Sequence, residues 1–296
     1  RGIGAASLTA AVEEGWTSEL MYSKESRWGV VALSDDHSST NNNNFPRHGS
    51  HLSSDVAARL AFVSSEGKTR FSRAARRAPH AASGAHRLSI VADLKRRSSL
   101  GVPVASYADA GAVASEIADF PVDAVSVCTD ELWGGRVEDL AAVRSTVARA
   151  EVPILCKDLF VDPVQVALAA ELGADAVLLI ACVLGSKLED LLDGATVVGL
   201  EAVVEVHTPD EVRFALNCGA TTLLVNARDR LGDDPAAASL TQAVGLRDLI
   251  PPNILALATG GIRDERTVRL LAAAGYDGLL VGRAVVGQPP DRAEAL

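Results

Sequence analysis

Short apolar runs alternate with amphipathic segments from Leu88 to Val281. The runs begin about 20 to 35 residues apart, and seven of the eight are followed directly by a polar residue or a glycine. Runs that are apolar on both faces are typical of strands buried on both sides, as in parallel sheets. The predicted strands are Leu88–Leu94, Ala124–Cys128, Val152–Cys156, Ala176–Ile180, Ala202–Val206, Thr222–Val225, Ile254–Ala258 and Gly278–Val281.

The Ala- and Leu-rich segments between these runs predict helices. Gly173, Gly219 and Gly275 stand where a helix C-terminus favours a left-handed residue. The clearest predicted helices are Ser106–Ile117, Val137–Ala150, Pro163–Glu171, Pro209–Asn217 and Asp264–Ala274.

Eight strands alternating with helices over about 200 residues predict an α/β fold, a (β/α)8 TIM barrel. A doubly wound open sheet is the alternative. It favours a G-x-G-x-x-G phosphate turn after an early strand, but only Gly134-Gly135 follows the second run. The barrel is therefore the favoured fold.

The chain divides into an N-terminal extension, residues 1–87, and the barrel, residues 88–296. The extension is expected to be partly irregular, because Ser39–Asn44 is a polar tract that reads as a loop or linker. Asp55–Val63 and Arg70–Arg77 are compatible with short helices. The basic Arg70–Arg77 run favours a solvated helix face, and a docking surface for a protein partner or an anionic ligand is the alternative.

Composition and charge narrow the function classes. The 296 residues are 48% hydrophobic, which supports one large core. The formal net charge is −10, so nucleic-acid binding is not expected. The charge is uneven: residues 1–87 carry 11 Lys/Arg against 8 Asp/Glu, whereas the rest carry 17 against 30. No apolar stretch approaches the roughly 20 residues of a membrane span.

The cysteines indicate a reducing compartment. They lie far apart, with no CxxC pair and no metal-ligand spacing, so free structural thiols are favoured over redox or metal roles. We expect a soluble protein of the cytoplasm or of an organelle stroma or matrix, with a plastid favoured in a eukaryote. The four cysteines are Cys128, Cys156, Cys182 and Cys218.

Charged residues follow several of the predicted strands. Lys95 and Lys157 come after the first and third runs, and Glu205 lies in the fifth. Barrel chemistry is located where strands end, so these side chains are expected to share one cavity. A lysine at an apolar strand end is partly desolvated, which lowers its pKa toward values useful in catalysis. The alternative is an ion-pair network that ties the strand ends together.

Glycines after the last two strands predict a phosphate site. Gly260-Gly261 and Gly282 allow backbone N–H groups to approach an anion, and tight turns are the alternative. His207 lies on an apolar strand without triad partners in sequence, so a hydrogen-bonded structural role is favoured. The sequence contains no serine elbow, metal-ligand cluster or Walker loop, and no metal or organic cofactor is expected.

The order of these motifs resembles the indole-3-glycerol phosphate synthase family. The first-strand segment Ile90–Ser98, with the letters IVADLKRRS, is similar to that family's first strand. The resemblance extends from about Leu88 to Val286 and does not cover residues 1 to about 70. The other matching segments are Ser126–Glu131, Pro153–Asp158, Gly173–Ile180, Glu205–Thr208 and Asn226–Asp229.

The resemblance implies a decarboxylating ring closure of 1-(2-carboxyphenylamino)-1-deoxyribulose 5-phosphate in tryptophan biosynthesis, without a metal or cofactor. It implies that Lys157 is the general acid at the substrate carbonyl. Lys95 would bind the substrate carboxylate and assist dehydration, and Glu205 would be the acid/base partner. Asp93 completes the catalytic set.

The resemblance also implies a set of binding residues. Asn226 would position hydroxyl groups, and Arg228 and Trp133 would contact the substrate. Ser98 would contact the substrate and its phosphate. The remaining phosphate-site residues would be Gly260, Gly261, Gly282 and Arg283.

Several positions depart from the family pattern. Asp93 replaces Glu, Ser99 replaces Pro, and one fewer aromatic residue accompanies Trp133. Thr259-Gly260-Gly261 replaces Glu-Ser-Gly, and Arg283 replaces a small hydroxyl residue. Two alternatives therefore stay open: a weakened or inactive barrel homologue that is a structural or regulatory subunit of a larger, possibly organellar complex, and another phosphate-binding barrel enzyme.

Overall fold

The computed structural model describes residues 69–79, 86–98, 103–118, 120–147, 151–228, 239–282 and 285. The predicted loop Ser39–Asn44 and the predicted helix Asp55–Val63 lie outside these residues. Ser99 and Arg283 also lie outside them. The predictions for these residues stay predictions.

In the described part of the chain, eight parallel strands form a closed barrel. The last strand pairs with the first, with Gly278 opposite Ser89, and this pairing closes the sheet. The predicted (β/α)8 barrel is therefore confirmed. The strands are β1 Ser89–Leu94, β2 Ala124–Cys128, β3 Ile154–Lys157, β4 Ala176–Ile180, β5 Glu201–Val206, β6 Thr222–Asn226, β7 Leu255–Thr259 and β8 Gly278–Val281.

Helices follow the strands and cover the barrel. They are α1 Ala110–Ala118, α2 Val137–Val147, α3 Pro163–Glu171, α4 Leu188–Val197, α5 Pro209–Asn217, α6 Leu240–Arg247 and α7 Glu265–Ala274. Helix α1 begins later than predicted, because Asp109 accepts a hydrogen bond from the backbone N–H of Gly111 at 2.8 Å and so caps that turn. Short helices Glu131–Trp133, Ala181–Leu184 and Gly185–Lys187 lie in the βα connections.

The barrel interior is apolar at the amino-terminal end of the strands and polar at the carboxyl end. Successive side chains of a strand point to opposite faces, so alternate residues enter the barrel. Asp93, Ser126, Glu205 and Asn226 are buried near the carboxyl end. The apolar cluster nearer the amino-terminal end includes Val91, Ala124, Leu155, Ala176, Leu178, Val203, Leu224, Leu255, Leu257 and Leu280.

A short helix, Arg70–Ala74, closes the amino-terminal end of the barrel. Phe71 is fully buried and belongs to the interior apolar cluster. The carboxylate of Glu201, at the start of β5, accepts hydrogen bonds from the backbone N–H groups of Phe71 at 2.7 Å and Ser72 at 3.1 Å. Glu201 thus satisfies helix N–H groups that the local residue Thr69 leaves uncapped.

The basic run is therefore only partly a solvated helix face. Arg73 is exposed. Arg70, in contrast, forms an ion pair with Asp175 at 3.0 Å. Arg77 donates to the backbone carbonyl of Ala272 at 2.8 Å. These contacts tie the helix to the barrel, and the division of the chain at residues 87 and 88 stays a prediction.

Aspartates that precede strands link neighbouring strands at the same end. Each carboxylate accepts a hydrogen bond from a backbone N–H of the adjacent strand. The pairs are Asp123 with Ile90 at 2.8 Å, Asp175 with Ile154 at 2.8 Å and Asp277 with Ala256 at 2.9 Å. Among the described helices, none has the length and apolar character that a membrane crossing requires.

Candidate active site

A cleft with about 870 Å³ of empty space, including its open mouth, lies at the carboxyl ends of the strands. This is the end where barrels of this type carry their chemistry. Asp93 lies at 0% exposure beside Lys95, and Arg283 lies outside the described residues. The predicted site residues that line the cleft are Lys95, Ser98, Trp133, Lys157, Glu205, Asn226, Arg228, Gly260, Gly261 and Gly282.

Two lysines share the buried carboxylate of Asp93. Lys95 is two residues further along the chain, so both side chains lie on the same side of the strand end. The distances from Asp93 Oδ2 are 2.5 Å to Lys95 Nζ and 3.2 Å to Lys157 Nζ. Ser126 Oγ donates to Asp93 Oδ1 at 3.1 Å. Although aspartate is one methylene shorter than glutamate, its carboxylate reaches both ammonium groups.

Burial and the neighbouring charges shift the pKa values of Asp93, Lys95 and Lys157 in different directions. Burial opposes ionisation of Asp93, but Lys157 and Lys95 outweigh it and hold the pKa of Asp93 far below its ordinary value. Burial, with help from the charge of Lys157, lowers the pKa of Lys95 despite its contact with Asp93. Burial also acts on Lys157, but Asp93, Cys128 and Glu205 outweigh it and raise the pKa of Lys157. Lys157 is thus held as a charged proton donor.

A glycine makes room for Lys95 in this arrangement. A Cβ atom on Gly282 would lie 3.2 Å from Lys95 Cε and 3.4 Å from Lys95 Nζ. A side chain at residue 282 would therefore press against the lysine. The sequence predicts that Gly282 contacts phosphate; the geometry gives a separate reason for glycine at this position.

Glu205 is another ionisable side chain of the cleft. It is buried at the end of β5. Asn226 Nδ2 donates to Glu205 Oε1 at 3.0 Å, and His207 Nε2 lies 3.1 Å from the same oxygen. Asn226 Oδ1 accepts from the backbone N–H of Arg228 at 3.1 Å, which fixes the amide orientation. Glu205 is therefore contacted by a side chain of β6 and by one that directly follows β5.

The turn after β7 requires glycine. Gly260 and Gly261 have φ values of +85° and +69°, in the left-handed region. A Cβ atom on Gly260 would lie only 2.8 Å from Asn226 Oδ1. Thr259 lines the cleft, and its hydroxyl donates to the backbone carbonyl of Leu280 at 2.9 Å. Where the family pattern has a glutamate, this cleft wall presents an uncharged side chain.

The site residues assigned from the sequence leave out two cations of the cleft. Arg97 and Arg263 both line it and are exposed. Arg97 lies between Lys95 and Ser98, among the polar residues that follow the first strand, and Arg263 is two residues beyond Gly261. Arg96, in contrast, belongs to the barrel wall, because it pairs with Asp139 at 2.5 Å and stacks over the Tyr107 ring at 4.2 Å.

One group of side chains beside the cleft carries metal-ligand chemistry. Ligand atoms of Cys182, His207 and Glu211 lie within 4.8 Å of one another. A metal would require a neutral imidazole. His207, however, lies between the carboxylates of Glu205 and Glu211, which favour its charged form. Burial raises the pKa of the Cys128 thiol, which lines the cleft, to about 12, so this thiol is a poor nucleophile.

Comparison with known proteins identifies the family. Residues 54–295 match the family model described as indole-3-glycerol phosphate synthase. The protein of that name from Mycolicibacterium gilvum is 39% identical over 241 residues, which cover 78% of this chain and 85% of that protein. The one from Mycobacterium leprae is 36% identical over 245 residues, 81% and 87% of the two chains.

Solved structures share the fold at lower identity. 3-Hexulose-6-phosphate synthase from Salmonella typhimurium has a TM-score of 0.56 and 20% identity, covering 70% of this chain and 95% of that chain. Orotidine 5'-phosphate decarboxylase from Pyrococcus horikoshii OT3 has a TM-score of 0.51 and 18% identity, over 70% and 95%. These likenesses concern the fold alone. The family match and the relatives together show that the chain belongs to the indole-3-glycerol phosphate synthase family.

Proposed function

We propose that the cleft converts 1-(2-carboxyphenylamino)-1-deoxyribulose 5-phosphate to indole-3-glycerol phosphate, CO2 and water. This carboxy-lyase reaction is the indole-3-glycerol phosphate synthase step of tryptophan biosynthesis. The main support for this proposal is that Lys95 and Lys157 share Asp93 in a cleft that Glu205 also lines. The cleft therefore offers two ammonium groups and a carboxylate to one bound molecule.

The first step joins two carbons of the substrate. The ring carbon that bears the carboxylate attacks the ketone carbon, and Lys157 donates a proton to the ketone oxygen. The pair of electrons from the carbon–carboxylate bond then restores the aromatic ring as CO2 leaves. Lys95, whose pKa is lowered by burial, binds the carboxylate before this step.

The second step removes water. The new hydroxyl group leaves with a proton from Lys95, and Glu205 accepts the proton from the adjacent carbon, so that the indole double bond forms. Asn226 would orient the substrate hydroxyl groups, and Arg228 and Trp133 would contact the substrate from the cleft wall. These roles follow from the resemblance and from the position of each residue at the cleft.

The phosphate would bind at the glycine turns. Gly260, Gly261 and Gly282 all line the cleft, as does buried Ser98. Backbone N–H groups of such turns bind phosphate oxygens in many barrels. Arg283 remains a phosphate residue by prediction only. The cleft also has a surplus of cations, which suits a substrate that carries a carboxylate and a phosphate.

The activity test measures indole fluorescence after mixing substrate with the full chain. Lys157→Ala is expected to reduce turnover by about 100- to 10,000-fold, because it removes the positioned acid. Lys187→Ala is the matched control, since Lys187 is exposed in the short helix Gly185–Lys187. Wild-type turnover no faster than that of Lys157→Ala would contradict the proposal. Thr259 motivates the inactive-subunit alternative, but the family match and the relatives do not support it.

A further inference from the structure

His207 links Glu205 to helix α5 without lining the cleft itself. It follows β5 and is 5% exposed. Its Nε2 atom lies 3.1 Å from Glu205 Oε1, and its Nδ1 atom lies 3.0 Å from Glu211 Oε2. Each ring nitrogen therefore faces a carboxylate, and the three side chains form a line from the helix to the cleft.

Further hydrogen bonds hold Glu211 and the backbone of His207. Glu211 Oε2 also accepts from the backbone N–H of His207 at 3.0 Å, and Glu211 Oε1 accepts from Thr208 Oγ1 at 3.2 Å. Gln242 of α6 donates to the backbone carbonyl of His207 at 2.8 Å. Cys182, beside β4, is another titratable group facing the ring. The position of the ring is thus set by elements outside the cleft.

We propose that His207 is a positioning residue, an imidazolium held by Glu211 that orients Glu205 and keeps its carboxylate ionised for proton transfer. This inference rests on the proposed function, because it concerns how Glu205 performs its step. It assigns to the reaction a residue that touches neither substrate nor reacting atoms.

The pKa of His207 agrees with this geometry. Burial would lower the pKa of His207, but its contacts with Cys182, Glu205 and Glu211 outweigh burial and raise this pKa to about 11. At neutral pH both ring nitrogens therefore carry a proton, and the ring is a cation between two carboxylates. Asn226 donates a hydrogen bond to the oxygen of Glu205 that His207 Nε2 faces at 3.1 Å, so a hydrogen bond and an ion pair meet at that oxygen.

Removing the positive charge of His207 should change the pH dependence of kcat. Without His207, Glu205 takes up a proton at higher pH, so the acidic limb of the pH–kcat profile moves up by about one unit or more. His207→Gln is expected to lower kcat about 10-fold at pH values below the new limb, with KM nearly unchanged. Glu211→Gln keeps the hydrogen-bond geometry but removes the charge that holds the imidazolium, and it should move the limb in the same direction by less.

Asp210→Asn is the matched control for Glu211→Gln. Asp210 is also in the first turn of α5, but it is exposed and pairs with Arg213 rather than with His207. This variant removes the same charge from the same helix end and should leave the profile in place. A limb that stays fixed in His207→Gln, or one that moves equally in Asp210→Asn, would overturn the inference.

The protonation state is tested separately by nitrogen NMR of protein labelled with 15N-histidine. The His207 signals are assigned by their absence in His207→Gln. Two protonated ring nitrogens at pH 8 support the proposal, and a neutral ring at that pH overturns it. Because this measurement needs no turnover, it separates failure of the positioning role from failure of the proposed function.

Discussion

Two glutamates of β5 stand at opposite ends of the barrel and have different partners. Glu201, at the amino-terminal end, accepts hydrogen bonds from the backbone of the helix Arg70–Ala74. Glu205, near the carboxyl end, lines the cleft and contacts Asn226 and His207. The carboxylate of Glu201 caps a helix, whereas that of Glu205 is available for proton transfer.

The side chains that surround the two glutamates also differ. Around Glu201 the interior is filled by Phe71 and the apolar cluster, which exclude water. Around Glu205 the interior holds Asp93, Lys95 and Lys157, where one carboxylate contacts two ammonium groups. Stability is therefore concentrated at one end of the strands and chemistry at the other. Substitutions at the two ends should change different observables.

The largest expected effect comes from comparing Glu205→Gln with Glu201→Gln. Glu205→Gln removes the proton acceptor and should lower kcat by about 100- to 10,000-fold with little loss of stability. Glu201→Gln keeps an acceptor for the helix N–H groups, so kcat should be unchanged and the free energy of unfolding should fall by about 1 kcal/mol or less. Steady-state kinetics and urea unfolding of both variants measure this, and equal losses of kcat would contradict the separation.

Phe71→Ala tests the opposite end of the barrel. Removing this fully buried ring leaves a cavity in the interior cluster and should cost about 3–5 kcal/mol of unfolding free energy. The folded fraction should keep the wild-type kcat, because Phe71 lies at the far end of the strands from the cleft. Phe214→Ala is the matched control, since this phenylalanine of α5 is 36% exposed. A stable Phe71→Ala variant with a lower kcat would reverse the assignment.

A smaller, pH-dependent effect is expected at Asp130, which precedes the short helix that carries Trp133. Burial, reinforced by the charge of Asp158, raises the pKa of Asp130 from 3.8 to about 6. The folded state therefore binds this proton more tightly than the unfolded state does. The charged form lowers stability above about pH 6, and the cost is relieved as the pH falls through 6 toward 4.

Asp130→Asn should therefore stabilise the protein by roughly 1–3 kcal/mol at pH 7. The amide oxygen can still accept from the backbone N–H of Leu132, as Asp130 does now at 2.8 Å. The gap to wild type should close by about pH 4. Glu131→Gln, at the exposed neighbour, should show no such pH dependence. Urea unfolding across this pH range measures both variants, and a constant gap would contradict the account.

The strands were predictable because buried parallel strands leave a continuous apolar signal. The prediction Ala124–Cys128 matches β2 to the residue, and that of Pro163–Glu171 matches α3. Helix α1 started later than predicted because a capping contact of Asp109 decides its first residue. Such a contact depends on side-chain geometry that periodicity does not contain.

The site residues were predictable where a charged residue at the end of an apolar strand is enough to identify them. Lys95, Lys157 and Glu205 were found at strand ends and do line one cleft. The partner of Phe71 was not predictable, because it lies on a distant element. Glu201 is 130 residues from Phe71 in sequence, and no local pattern connects them. For His207 a signal existed: residues two apart at a strand end share a face, as Glu205 and His207 do.

The central claim is that the carboxyl end of this barrel carries out a decarboxylating ring closure. It is tested most directly with substrate that carries an isotopic label in its carboxylate, incubated with the full chain. The account predicts that one labelled CO2 is released for each indole-3-glycerol phosphate formed, and that both products fall together in Lys157→Ala. Release of labelled CO2 no faster than in that variant, or release without indole formation, would contradict the claim.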